Sequence, residues 1–275
     1  MYYFKQFIKW LLSSFTVIGV ICALHEFIGL TSWKVPNCIQ ENILLFSILI
    51  STIYWYQNNK QKIKITKKIN ANRTKLTIMF GDLFAQTGWK VIGVNEYFDN
   101  KVDNSHVAEK SLHGQVLSNY WKNNEEQWYR EVIEQANKQN IALPSVNRKS
   151  GKNIKFPIGT VIPIQQANNR FLFVSLSHTN INSLEAYSSI ENLFISVQKV
   201  YQSARSVCAS EPLNIPLLGA GLSRTGLSVY VIIDIIILLA IEETKKRGIT
   251  QEINIIIPKH LQNEIDLDVI EQSWR

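Results

Sequence analysis

Two long apolar runs without charged residues lie near the start of the chain. They cover residues 10–24 and 42–59. A helix needs roughly 17–25 mostly apolar residues to cross a bilayer, and each run reaches this length with its apolar flanks. Aromatic side chains lie near the ends of both runs, where their amphipathic rings favour the membrane interface. The pattern predicts two transmembrane helices, at about residues 8–30 and 37–58.

From residue 76 the pattern changes to short β-rich runs that alternate with helical stretches. Several runs are continuously apolar and bounded by Gly, Pro or Asn, as expected of strands buried on both faces. The predicted strands are Leu76–Phe80, Trp89–Val94, Gly159–Ile164, Phe171–Ser175, Asn214–Leu218 and Ile253–Ile257. The predicted helices are Ser105–Tyr120, Glu125–Lys138, Ser183–Cys208 and Thr225–Arg247. This alternation indicates an α/β fold, a three-layer sandwich with a mostly parallel or mixed sheet.

A third apolar run covers residues 227–241, but it has Asp234 in its middle and is short for a span. We therefore predict a buried core helix there. Residues 139–156 are rich in Asn, Lys, Ser and Gly and predict an exposed loop. The predicted order is two membrane helices in 1–58, a basic juxtamembrane linker in 59–75 and a ligand-binding domain in 76–275.

The net charge of +7 belongs to the N-terminal part of the chain. Residues 1–75 carry ten Lys/Arg and two acids; subtracting these from the totals of 29 and 22 leaves 19 basic and 20 acidic residues in 76–275. The larger part therefore has no net positive field for a phosphate backbone, and we predict no nucleic-acid partner. The lysines near the apolar runs suit the anionic headgroups of a lipid bilayer.

The distribution of lysines predicts the orientation of the hairpin. Lys5 and Lys9 precede the first run, the connecting segment has Lys34, and five lysines follow the second run. The positive-inside rule then places both termini and the soluble domain in the cytoplasm, with a multi-pass anchor in the inner membrane. A cleaved signal peptide is the alternative for the first run, but no A-x-A-like site follows it.

Two strand-to-helix turns carry candidate chemistry. Gly81 permits a tight exit from the first strand, and Asp82 presents a carboxylate that would accept a hydrogen bond from an amine; capping of a turn is the alternative role. Later, Gly219-Ala220-Gly221 is followed by Leu222, Ser223 and Arg224 and by a helix predicted to begin near Thr225. Glycine N–H groups and a helix N-terminus form an anion site, and an arginine would complete it.

These motifs together resemble the macro domain, the ADP-ribose-binding fold. That family has a first turn of the type Gly81-Asp82-Leu83, a strand that ends like Val94-Asn95, and a late glycine-rich loop like Gly219–Ser223. Order and spacing match over residues 76–258. With two apolar helices ahead of it, the layout resembles the ThsA-like membrane effectors of type II Thoeris anti-phage defence. The expected fold is a macro-domain-like three-layer sandwich preceded by a two-helix transmembrane hairpin.

The resemblance implies a ligand and a pathway. A TIR-domain enzyme would convert NAD into an ADP-ribose derivative, an ADP-ribose–histidine conjugate in type II systems. The macro domain would bind it, and the chain would form a homo-oligomer that disrupts the membrane and kills the infected cell. The resemblance gives these binding roles: Asp82 for the adenine amine, Leu83 and Phe84 beside the base, Asn95 near the distal ribose, and Gly219, Ala220, Gly221, Leu222 and Ser223 for the diphosphate, with Arg224 as a helper.

The sequence favours a receptor over an enzyme. Macro domains that hydrolyse ADP-ribose linkages carry a second Asn and a run of glycines after the first Asn, whereas Asn95 is followed by Glu96-Tyr97-Phe98-Asp99. Glu96 or Asp99 would meet a cationic group of the ligand or would lie solvated in the loop. Neither metal ligands at suitable spacing nor a catalytic motif is present, so no catalytic residue, metal or cofactor is predicted. A membrane-tethered hydrolase and a structural membrane protein without a ligand are the alternatives.

Overall fold

The computed structural model describes residues 2–29, 42–58, 61–69, 74–221 and 225–274. The chain divides into two compact units, Met1–Lys62 and Ile63–Arg275. We describe each unit by itself.

The N-terminal unit consists of helices α1 (Tyr2–Gly29) and α2 (Ile43–Asn58), which contact each other. Trp10–Ile28 in α1 is long and apolar enough to cross a membrane by length and composition. The described part of α2 has 16 residues, just below the usual length of a span. The predicted start of the second helix at residue 37 lies outside the described residues. Two membrane spans therefore remain a prediction.

Small polar residues line the contact between these two helices. Ser14, Ser47 and Ser51 are buried, and the Ser51 hydroxyl donates to the Ile48 carbonyl at 2.9 Å. Small residues allow helix backbones to approach closely in an apolar environment. Gly19, another small residue of α1, is exposed.

The second unit is built around one mixed sheet. Its strands are β1 (Lys64–Ile69), β2 (Thr74–Gly81), β3 (Trp89–Asn95), β4 (Val161–Gln166), β5 (Asn169–Thr179), β6 (Ala186–Tyr187), β7 (Leu213–Pro216) and β8 (Glu252–Pro258). The order is β1-β2-β8-β7-β3-β5-β4, with β6 paired to β5. Strands β2, β8, β7, β3 and β5 are parallel, and β1, β4 and β6 pair antiparallel. All six strands expected from the sequence are present.

Helices cover both faces of the sheet. They are α3 (Leu112–Tyr120), α4 (Glu125–Lys138), α5 (Ile190–Val207), α6 (Val229–Lys246) and α7 (Leu267–Ser273), with a 3₁₀ helix at Lys259–Leu261. Alternate strand residues enter opposite cores: Val91 packs in the core that holds α5, α6 and α7, and Ile92 in the core that holds α3 and α4. The three-layer α/β sandwich is therefore confirmed. Residues 227–241 contribute most of α6, a buried helix as predicted.

The predicted basic linker is wrong for residues 64–69, which form β1 along the edge of the sheet. Burial alternates along KITKKI, with Ile65 and Ile69 facing the core and Lys64 and Lys68 exposed. The period of two defines the strand, whereas the lysine content suggested a linker. Lysines on an edge strand also oppose pairing with another chain.

Three predicted helices begin later than expected, each after a serine cap. The hydroxyls of Ser111, Ser189 and Ser228 accept the backbone N–H three residues on, at 3.0, 3.2 and 3.4 Å. A serine in this position satisfies an N–H group that the first turn leaves unpaired. Helix α7 had no sequence prediction.

Candidate functional site

The predicted ligand turns follow parallel strands and lie on the side of the sheet where the carboxyl ends of those strands meet. Gly81 ends β2, Asn95 ends β3 and Gly219 comes shortly after β7. In the sheet, β8 lies between β2 and β7, and β7 is next to β3. Ligands of open α/β sheets bind beyond the carboxyl ends of the strands, so the three segments share the expected edge.

The turn after β2 is stabilised by Asp82 itself. The exposed Asp82 carboxylate accepts the Phe84 N–H at 2.9 Å, and its carbonyl accepts from the Gln86 amide at 2.9 Å. Leu83 is buried in the core below the turn. The capping role considered for Asp82 is therefore present, and the carboxylate also remains at the surface.

An aromatic pair stands beside this turn. The Phe84 ring lies 6.2 Å from the Tyr120 ring, centroid to centroid. Burial, and to a smaller degree the negative charge of Asp82, raises the pKa of the Tyr120 hydroxyl. The half-buried Phe84 ring and the Asp82 carboxylate thus offer an apolar surface next to a hydrogen-bond acceptor, which suits the face and the amine of a base.

The loop after β7 needs its first glycine. Gly219 has φ +85°, and a Cβ there would lie 2.8 Å from Thr225 Cγ2, while the Thr225 hydroxyl donates to the Gly219 carbonyl at 2.8 Å. Ala220 and Gly221 are exposed, and a Cβ on Gly221 would meet no atom of the described residues within 4 Å. The loop is therefore closed at its base and open at Gly221. Leu222, Ser223 and Arg224 lie outside the described residues.

The predicted helix start near Thr225 is wrong. Gly226 has φ +72°, which interrupts a helix, and α6 begins at Val229 after the Ser228 cap. The α6 N-terminus consequently comes several residues after the loop, and the backbone N–H groups of the loop are the better candidates for a phosphate.

Asn95 is held by the segment that follows it. Its side-chain oxygen accepts the N–H groups of Tyr97 and Asp99 at 3.1 and 3.2 Å, and its amide donates to the Asp99 carboxylate at 3.0 Å. Asn95 is 8% exposed. The turn after β3 is therefore locked by its own side chains.

Asp99 is buried and not solvated, and its carboxylate pairs with an arginine of the same chain. Arg148 contacts its carboxylate at 3.1 Å, and both side chains are almost completely buried. The Lys152 N–H donates to the same carboxylate at 2.7 Å, and the Arg148 guanidinium stacks 3.8 Å from the Tyr97 ring centroid. This pairing brings part of residues 139–156 into the core, which corrects the prediction of an exposed loop.

Glu96 is also paired within the protein. Its buried carboxylate lies 2.7 Å from His178 Nδ1 and 3.3 Å from Lys155 Nζ. Asp99 and Glu96, considered as partners of a cationic ligand group, are thus neutralised by side chains of the chain itself. Arg148, Lys155 and His178 were missed because their partners lie far away in the sequence. The signal that could have found them is the pair of acids Glu96 and Asp99, which need cationic partners when buried.

A separate apolar cavity of about 120 Å³ lies between β1, β2, α6 and α7. Ile65, Ile78, Ile237 and Trp274 are among its lining residues. None of the predicted ligand residues that the structure describes lines it, so this cavity is separate from the Asp82 turn and the described part of the Gly219 loop.

Comparison with known proteins agrees with this architecture. Residues 76–258 match the family model described as "Thoeris protein ThsA, Macro domain". A curated relative, the Thoeris protein ThsA of Bacillus amyloliquefaciens (strain Y2), is 28% identical over 159 residues, which are 57% of this chain and 52% of the relative. The match therefore spans about half the length of that relative.

Two solved structures of the Oceanobacillus iheyensis macrodomain have the same fold. A variant with ADPR has a TM-score of 0.53 at 12% identity, covering 76% of this chain and 98% of that chain. The macrodomain with ADP has a TM-score of 0.52 at 12% identity, covering 77% and 98%. At this identity the likeness establishes the macro-domain fold of the second unit.

Proposed function

The chain belongs to the family of the Thoeris protein ThsA macro domain, and from this membership we propose that its second unit is a receptor for an ADP-ribose derivative. The observation that carries the proposal is the placement of the Asp82 turn and the Gly219 loop at one edge of the sheet. One offers an acceptor beside an aromatic ring, and the other offers an open glycine backbone. A nucleoside diphosphate needs both.

In this proposal each turn binds one part of the ligand. Asp82 accepts the adenine amine with Phe84 beside the base, and Leu83 supports the turn from below. The backbone of Gly219, Ala220, Gly221, Leu222 and Ser223 binds the diphosphate, with Arg224 beside it. Asn95 lies near the distal ribose, and the group beyond it is the histidine of an ADP-ribose–histidine conjugate.

A receptor suits the region around Asn95 better than a hydrolase does. Both polar atoms of the Asn95 side chain are engaged in the turn. The following residues are buried, and Phe98 packs 4.4 Å from Phe156 in place of a mobile glycine run. A catalytic group needs a free polar atom at the reacting centre, and a fixed wall favours binding without turnover.

We place this receptor in a Thoeris-type defence response. A TIR-domain enzyme makes the signal from NAD, and the receptor binds it on the cytoplasmic side of the inner membrane, anchored by the two N-terminal helices. Ligand-bound chains assemble and disrupt the bilayer. A ligand shifts assembly only by its preference for the assembled state, about 5.5 kcal/mol for a nearly complete switch. Confinement to the membrane lowers this requirement by raising the local concentration.

Two substitutions test the ligand turns. We expect Asp82→Ala to weaken binding of the ADP-ribose derivative by about 10–100-fold, since a hydrogen bond to a charged group is lost. Gly221→Glu is expected to weaken it by at least ~100-fold, because its carboxylate would face the diphosphate. Among the residues that the structure describes, none would clash with a Cβ at Gly221. The measurement is calorimetry on the full chain in lipid nanodiscs with ADP-ribose, its histidine conjugate and NAD.

Matched variants separate charge from shape in this experiment. Gly221→Gln adds the same length without a charge and should weaken binding much less than Gly221→Glu. Asp82→Asn keeps an oxygen for the Phe84 N–H, so the turn survives. If none of the three compounds binds, the ligand assignment is wrong. If the conjugate is consumed, the hydrolase alternative is favoured.

Assembly is the second test of this function. We expect crosslinking of the full chain in membranes to give higher oligomers only when the ligand is present, together with dye release from the same vesicles. Asp82→Ala should lose both effects at ligand concentrations that saturate the native chain. An identical oligomer with and without ligand would contradict ligand-driven assembly.

A further inference from the structure

A chain of hydrogen bonds joins three side chains from two loops, none of which belongs to the proposed ligand turns. His106 Nδ1 lies 2.9 Å from the Asp103 carboxylate, and His106 Nε2 lies 2.8 Å from the Ser150 hydroxyl. A carboxylate, an imidazole and a hydroxyl in this order form the constellation that activates a serine for attack on a carbonyl. We infer that Ser150 is a nucleophile for acyl transfer, with His106 as its general base and Asp103 as the residue that positions the imidazole.

The ionised Asp103 carboxylate selects the tautomer of the His106 imidazole. Burial opposes ionisation, but hydrogen bonds from the His106 N–H, the His106 ring and the Ser105 N–H outweigh it and hold the pKa of Asp103 below its usual range. The ionised carboxylate accepts a proton-bearing Nδ1. This tautomer leaves Nε2 with a lone pair directed at the Ser150 hydroxyl.

The loop that carries Asp103 and His106 is fixed by its own backbone. One Asp103 oxygen accepts the N–H groups of Ser105 and His106 at 2.9 and 2.8 Å. The Val107 N–H donates to the Lys101 carbonyl at 3.2 Å and closes the loop. The acid and the base therefore keep their relative positions without help from a substrate.

The loop that carries Ser150 is anchored on both sides of the serine. Arg148 and the Lys152 N–H both bind the buried Asp99 carboxylate. Gly151 has φ +87°, and a Cβ there would lie 2.6 Å from Asp99 Oδ1 and 2.9 Å from His106 Cδ2. Only glycine allows the loop to approach so closely, and this approach brings Ser150 onto the imidazole.

The exposure of the three groups fits the roles assigned to them. The His106 side chain is 4% exposed, whereas Ser150 is exposed. A shielded base and an accessible hydroxyl allow a substrate to reach the nucleophile while the imidazole stays in place. Acyl transfer to a serine hydroxyl takes a carboxylic ester, and because Ser150 lies at the surface the ester needs a carbonyl that is accessible there.

The reaction proceeds in two balanced steps. The Ser150 oxygen attacks the ester carbon, and its proton moves to His106 Nε2. The bond from the ester carbon to the alcohol oxygen breaks, that oxygen takes the proton from His106, and the acyl group stays on Ser150. Water then attacks the acyl carbon and gives a proton to His106; the bond from that carbon to the Ser150 oxygen breaks, the oxygen takes the proton back from His106, and the carboxylic acid is released.

The test uses the full chain in detergent, with a fluorophosphonate probe and p-nitrophenyl acetate. Mass spectrometry should find the phosphonyl adduct on Ser150, and Ser150→Ala should remove both labelling and esterase activity. Asp103→Asn keeps the oxygen that caps the loop, but its amide donates to Nδ1 and forces the proton onto Nε2. We expect labelling to slow at least ~100-fold in this variant.

Controls make either outcome decisive. Ser206→Ala alters an exposed serine of α5, outside both loops, and should label like the native chain. His106→Gln should abolish labelling while its melting temperature shows whether the loops remain folded. The inference is overturned if Ser150 is not labelled in the native chain. It is also overturned if Asp103→Asn is labelled as fast as the native chain. Binding of ADP-ribose derivatives is a separate readout and should be unchanged in Ser150→Ala.

Discussion

Replacement of Arg148 by alanine is expected to lower the free energy of unfolding of the second unit by about 3–5 kcal/mol. Arg148 and Asp99 are almost completely buried and paired at 3.1 Å. Without the guanidinium, the Asp99 carboxylate stays in the core with its Asn95 and Lys152 hydrogen bonds but without a cation. The variant also loses the stacking of Arg148 on Tyr97. Urea unfolding of the full chain in detergent, followed by tryptophan fluorescence, measures the effect.

The neighbouring Lys149 provides the matched control. It is exposed, so Lys149→Ala should change the free energy of unfolding by less than about 0.5 kcal/mol. Adding Asp99→Asn to Arg148→Ala removes the unpaired charge and should recover part of the loss. A loss below ~1 kcal/mol in Arg148→Ala would show that the pair is not what holds residues 139–156 against the core.

Acid should destabilise the protein through His113. Complete burial lowers the pKa of this imidazole to about 3, so the folded chain keeps it neutral. The unfolded chain binds a proton near the usual pKa of ~6.5, and stability therefore falls as the pH drops below that value. The slope is ~1.4 kcal/mol per pH unit, or about 2 kcal/mol between pH 6.5 and 5.

A phenylalanine at this position should remove that slope. The imidazole lies 5.1 Å from the Trp128 ring and 6.4 Å from the Phe173 ring, in an aromatic environment that a phenyl ring suits. His113→Phe should therefore unfold with little dependence on pH between 6.5 and 5, measured by urea titrations at several pH values. His260→Gln changes an exposed histidine and should keep the native slope. A His113→Phe variant that keeps it would assign the acid sensitivity to another group.

The sequence predicted those strands and helices whose apolar pattern follows from burial alone. Strands such as β3 and β8 are apolar on both faces, and this pattern is readable without knowing any neighbour. Strand β1 was missed because lysines cover its outer face. The serine caps were missed because the helical pattern of the sequence also extends before each serine. The hydrogen bond that marks the start of the helix depends on local backbone geometry, which that pattern does not show.

The candidate sites show a second reason for the limit. The Gly81-Asp82 turn and the Gly219 loop were found because a strand, a glycine and a polar residue are adjacent in the sequence. Arg148 and Ser150 could not be found in this way. They meet Asp99 and His106 only after the two loops pack together, and long-range pairs of charged or polar residues leave no periodic signal in one sequence.

The antiparallel pairing of β1 and β2 brings the start of the second unit next to the Gly81 turn. Lys64 at the start of β1 is opposite Met79, and the Phe80 N–H donates to the Ile63 carbonyl at 3.1 Å. Ile63 is where the chain enters the second unit from the N-terminal helices, and Phe80 directly precedes Gly81. The entry of the chain into the second unit and the residue before the proposed ligand turn are thus joined by one hydrogen bond.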